Sequence, residues 1–93
     1  MVSFKKYLTE SHHDYEKMDI ADQLRAAIVE EHKAVMQYDA IAKACKDQGA
    51  KEVLLDIAME EKVHIQELTA LLRAFDHEEL QAEDEAEEEL SAM

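Results

Sequence analysis

Residues 54–75, Leu-Leu-Asp-Ile-Ala-Met-Glu-Glu-Lys-Val-His-Ile-Gln-Glu-Leu-Thr-Ala-Leu-Leu-Arg-Ala-Phe, decide the fold. Leu54, Ile57, Glu61, His64, Leu68, Leu71 and Phe75 follow one another in steps of three and four, the seam of an amphipathic helix. Two of these seven positions are unsuited to a dry core. A carboxylate in an apolar interior is costly unless it is neutralised, hydrogen-bonded or bound to a cation, so Glu61 and His64 need partners.

The preceding stretch supplies one. Leu24, Ile28, Glu31, Val35, Tyr38, Ala42 and Cys45 repeat the same spacing, again with a carboxylate at the centre. Asp19 suits the N-cap and Asp22 the first turn, where the helix dipole favours negative charge. Asp47-Gln48-Gly49 reads as the stop, with Gly49 as a left-handed C′ residue and a second helix starting near Ala50. Two long helices joined so closely fold back as an antiparallel hairpin. With the turn near position 48, Glu31, Glu61 and His64 stand at heights of about 26, 20 and 24 Å, within about one helical turn of one another. Tyr38 falls about one turn below Glu61.

Composition agrees with an all-α fold. The 93 residues are 47% hydrophobic, with one Gly, no Pro and no Asn, which leaves little material for tight β-hairpins. Residues 1–18 are expected to hold a short helix over 3–10, with Phe4, Tyr7 and Leu8 on one side, followed by a polar linker. Residues 19–75 form the hairpin. Residues 76–93 form an acidic tail, a frayed helix or a disordered end, because like charges oppose helix and only Leu80 and Leu90 offer anchors.

The net charge of −13 argues against nucleic acid or an anionic membrane as a partner. Nine of the 23 acids lie in residues 76–93, which contain no Lys or Arg, so the excess belongs mainly to the tail. Cys45 is the only cysteine, which excludes an intrachain disulfide and a Cys-x-x-Cys metal knuckle. The opening residues have too short an apolar run for a signal peptide, and no stretch is apolar enough to span a membrane. A cytoplasmic protein is expected.

Glu61-Lys62-Val63-His64 is a Glu-x-x-His motif, weak evidence by itself. With 15 Glu and five His in 93 residues, chance alone gives about 0.8 copies. A second copy, Glu10 to His13, has no helical seam around it. Glu61 and His64 differ because their neighbours are Leu, Ile and Phe, and because a spacing of three projects both side chains from one helix face toward one cation. Without a cation, Glu31, Glu61 and His64 form a hydrogen-bonded cluster that fixes helix register. With one, a single hairpin supplies only two Glu and one His and leaves an apolar seam uncovered. A two-fold dimer meets both needs, giving a four-helix bundle whose two cations share four carboxylates and two imidazoles. Carboxylate and imidazole suit Fe(II), with Mn(II) and Zn(II) as competitors.

Glu30-Glu31 followed by Gln37-Tyr38-Asp39, then Glu60-Glu61-Lys62-Val63-His64 thirty residues after Glu31, resembles the ferritin-like superfamily in its half-length form. This is the form of encapsulated ferritins and short rubrerythrin-type domains. The resemblance covers about residues 20–75. It implies a ferroxidase centre assembled between two subunits, where Fe(II) is oxidised by oxygen or peroxide. Glu31, Glu61 and His64 are the implied iron ligands and Tyr38 a hydrogen-bond partner behind them. It also implies a homodimer that assembles further into a ring. Glu30 matches an acid on the iron access route of such relatives, but Lys33 stands where another acid is expected. The C-terminal Glu-Glu-Glu-Leu-Ser-Ala-Met does not resemble the peptide that loads encapsulated ferritins, so an encapsulin shell is not an expected partner. Cys45 alone cannot build the rubredoxin domain of full rubrerythrins. The other readings keep the fold but make the metal structural, Zn(II) or Fe, or make the chain a metal-free interaction module.

Of the remaining residues, His32 is turned about 100° off the seam and belongs on the surface with His12, His13 and His77. Met36 and Met59 suit bundle edges, and Cys45 a small apolar packing position.

Overall fold

Asp19 serves as an N-cap, its carboxylate accepting the Asp22 backbone N–H at 2.9 Å. The computed structural model describes residues 19–93. The helix expected over 3–10, the linker to 18 and the Glu10–His13 motif lie outside them. Among the described residues there are three helices and no strand: α1 (Ile20–Ala44), α2 (Gln48–Phe75) and α3 (His77–Ser91). None is long and apolar enough to cross a membrane.

The connection between α1 and α2 departs from the sequence expectation in one respect. Cys45 ends α1 in an extended conformation, its N–H donating to the Ala42 carbonyl at 3.2 Å. Asp47 then caps α2, its carboxylate accepting the Ala50 N–H at 2.8 Å. Gly49 lies inside the first turn of α2 and has no positive φ, so it is not a left-handed cap. The Asp47 side chain satisfies an orphan donor of the new helix, and this capping bond starts α2 two residues earlier than expected.

α1 and α2 pack as an antiparallel hairpin. Leu24, near the start of α1, shares a cluster with Leu72, near the end of α2, and Ile28 and Leu68 close over it. The inner face of α1 is the expected one, from Leu24 through Ile28, Glu31, Val35 and Tyr38 to Ala42 and Cys45. On α2 the face turned toward α1 is rotated from the expected seam. Leu54, Ala58, Glu61, Ile65, Leu68 and Leu72 are buried or half-buried. His64, Leu71 and Phe75 instead line one edge of the hairpin and are exposed, Leu71 at 46% and Phe75 at 55%. The apolar sector of α2 is wider than one neighbouring helix can cover, so one hairpin uses half of it.

The acidic tail is an ordered helix. Asp76 leaves the helical region, ends α2 and caps α3, its carboxylate accepting the Glu78 N–H at 3.0 Å. Glu78 and Glu79 then sit in a first turn where the dipole favours acids. No residue of α3 is buried. Its anchors are ionic: Arg25 of α1 binds Asp76 and also reaches Glu79 at 3.3 Å, and Arg73 of α2 holds both Glu83 oxygens at 2.9 Å.

Hydrogen bonding to the Arg25 guanidinium pulls the Asp76 carboxyl below its ordinary range and raises Arg25. A carboxylate with a depressed folded pKa contributes stability above its unfolded value, near 3.9, that is lost as pH falls through the folded value. Acidification below about pH 4 should therefore free α3 from α1, while protonation of its crowded acids preserves its helicity. Spin labels at residues 22 and 87 are expected to show one narrow distance at neutral pH. The distribution should broaden in acid, or in Arg25→Ala at pH 7, with no loss of helical circular dichroism.

Candidate metal centre

α1 presents Glu31 from its inner face, at the level where α2 presents Glu61 and His64. The His64 Nδ1 atom lies 3.5 Å from Glu31 Oε2 and 3.8 Å from Glu61 Oε1. One donor atom from each of the three residues falls within 4.8 Å of the others. The register inferred from chain spacing thus brings these side chains together.

The contacts do not amount to a hydrogen-bonded cluster. Glu31 Oε2 is buried and has no hydrogen-bond partner among the described residues, and 3.5–3.8 Å contacts are too long to replace one. The two carboxylates are largely screened from solvent, with side-chain exposures of 25% for Glu31 and 20% for Glu61. Two half-buried acids facing one imidazole across contacts too long for hydrogen bonds form an arrangement that a cation relieves. Donors about 2.1 Å from a common ion lie about 3.0–3.4 Å apart, so small side-chain rotations close this set around one metal. Mixed carboxylate and imidazole donors fit Fe(II), Mn(II) or Zn(II).

His64 differs from the two acids. Its side chain is 51% exposed, because it stands on the edge that α1 leaves uncovered. An open depression of about 230 Å³ begins there, lined by Glu31, His64, Glu67 and Leu68. Leu71 and Phe75 continue the edge along α2. On α1 the seven-residue series Ile20, Ala27, Ala34 and Ile41 runs beside Glu31, with Ile20 and Ile41 exposed. The opposite edge of the hairpin holds a separate depression lined by Arg25, Ile28, Val29, Thr69, Leu72 and Glu79. The apolar edge and the donors therefore share one side of the molecule.

Tyr38 is half-buried on the inner face of α1, two turns from Glu31, and makes no hydrogen bond to Glu31, Glu61 or His64. His32 and His77 are exposed, as expected. Met36 and Met59 are exposed on the hairpin. Cys45 is half-buried, its thiol donating to the Asp47 carbonyl at 3.4 Å. Glu30 is engaged by Lys33 at 3.3 Å. Glu67 is the lining residue that sequence reasoning passed over. Its spacing of three from His64 was the available signal, since it puts both on one stretch of helix surface.

Comparison with known proteins gives three findings. The rubrerythrin family model matches residues 22–92, so the likeness continues through α3, past Phe75. The chain is also 35% identical over 80 residues to a ferritin-like-encapsulin shell fusion protein of Pyrococcus furiosus, a match covering 86% of this chain and 23% of that protein. The chain therefore spans about a quarter of that relative's length. No solved structure matches it.

Proposed function

Because the chain belongs to the rubrerythrin family of the ferritin-like superfamily, we propose that it is a di-iron protein that oxidises Fe(II), its site completed by a second copy. The observation that carries this reading is the buried, unpartnered Glu31 Oε2, directed at His64 in a cluster with Glu61. Such an atom is destabilising in the empty site and is accounted for by a cation.

Glu31 and Glu61 would hold iron from two helices, so neither can shift without the hairpin shifting. His64 would approach from the open edge. A two-fold axis beside that edge sets a second Glu31, Glu61 and His64 against the first and covers Leu71 and Phe75 in the same step. Two Glu and two Glu-x-x-His motifs facing inward are the donor set of carboxylate-bridged bundles. Bound iron supplies the redox chemistry, each Fe(II) giving one electron to oxygen or peroxide. The protein supplies anionic oxygen donors, which favour the Fe(III) product over Fe(II). Tyr38, half-buried on the inner face of α1, would donate a hydrogen bond to a ligand once the second copy closes the site. The Pyrococcus relative joins a ferritin-like part to an encapsulin shell by name. We place this chain with the ferritin-like half of that pairing.

The test is to load the purified protein with Fe(II) without oxygen, measure bound iron, and then admit air. The expected result is about one iron per chain, oxidised at least about tenfold faster than in buffer and blocked by stoichiometric Zn(II). Absence of bound iron overturns the proposal. Iron or zinc that holds the dimer together but oxidises no faster than in buffer assigns the metal a structural role instead.

A further inference from the structure

Three candidates lie outside the three donors themselves. The Cys45 thiol at the turn has only a local carbonyl contact, and the charged face of α3 shows nothing that selects a ligand. The third is Glu67, and it carries an argument.

The depression that exposes His64 is lined by Glu31, Glu67 and Leu68 besides His64. Of these, Leu68 is half-buried and Glu67 is exposed. Among the described residues Glu67 has no hydrogen-bond or ion-pair partner, so its carboxylate is available. Glu30, the acid beside Glu31 on α1, is paired with Lys33. Glu60 also flanks His64, one turn away on the other side, but does not line the depression. Among the described residues that line the depression, Glu67 on α2 is thus the one exposed carboxylate.

Resting on the metal-site reading above, we infer that, before a second copy closes over that edge, Glu67 captures the incoming divalent cation and passes it to His64 and Glu31. An exposed carboxylate exchanges readily with the water shell of a hydrated cation, and its charge raises the local cation concentration. The fourth lining residue, Leu68, is apolar and offers no competing ligand. Glu67 acts on delivery, so the filled centre does not require it.

Co(II) tests this without any redox step. Its visible bands report binding by mixed nitrogen and oxygen donors, and stopped-flow mixing with the metal-free protein gives the capture rate. Glu67→Gln is expected to slow capture on the order of tenfold, with final spectrum and stoichiometry unchanged. Glu60→Gln, which removes the same charge one turn away, should stay within about twofold of the wild type. Equal rates in the two variants overturn the inference, because the effect is then one of net charge. A lost or altered final spectrum in Glu67→Gln also overturns it, because Glu67 is then a resident ligand. Saturable Co(II) bands absent from the wild type, or kept in Glu61→Ala, remove the metal site itself and the delivery role with it. Glu67 is exposed and unpaired, so its variant should fold normally.

Discussion

Glu31→Leu is expected to raise the melting temperature of the metal-free protein and to abolish most of the further rise that Fe(II), Mn(II) or Zn(II) gives the wild type. The first half follows from burial. Glu31 Oε2 has no hydrogen-bond partner and is cut off from water, and a group in that state costs about 1–3 kcal/mol. Leucine fits the seam between Ile28 and Val35 without that cost. For a helical domain of this size about 1 kcal/mol corresponds to about 4–8 °C. The second half follows from linkage. A metal at about a thousand times its dissociation constant stabilises the folded chain by about 4 kcal/mol, and the variant lacks the one donor that ties α1 to the site. Calorimetry with and without metal should show the two curves cross. A variant that loses stability without metal and keeps the full metal response overturns the assignment of Glu31.

Leu71→Asp should convert the protein to monomers. Leu71 lies two turns from His64 on the uncovered edge, exposed beside Phe75. In a two-fold interface each substitution occurs twice. A charge set into an apolar patch costs about 2 kcal/mol per copy, so association weakens by about 4 kcal/mol, on the order of a thousandfold. Sedimentation should show the change, and iron oxidation should fall with it because the two half-sites separate. Leu55→Asp is the control. Leu55 is equally exposed but lies toward the opposite edge, and its substitution should leave both association and oxidation intact. A dimeric Leu71→Asp protein would place the interface elsewhere.

These two residues also mark what a linear sequence reveals. Glu31 could be placed against Glu61 and His64 because helix rise is constant and the connection is short, so counting residues from the turn gives height. Leu71 could be assigned to the apolar stripe, but not to a side of it. The stripe on α2 is wide enough for two neighbours, and spacing alone does not say which half meets α1 and which is left open. The same ambiguity set His64 on the inner seam, whereas it stands at the edge. Gly49 carried a plausible stop signal that the Asp47 capping bond overrode. The order of α3 depends on Arg25 and Arg73, each far along the chain from the tail or on another helix, and local charge counting does not see such pairs.

The three residues between α1 and α2, Cys45, Lys46 and Asp47, acquire a meaning beyond joining helices. They leave almost no slack, so the place where the chain reverses is fixed to within a residue. Glu31 is opposed to Glu61 and His64 only because both helices are measured from that one origin, about 20 Å distant. The connection works as a ruler. Lengthening it would let one helix slide past the other, separating the carboxylates while every side chain of the site remained in the sequence. Damage to the centre can therefore come from the end of the molecule that never touches metal.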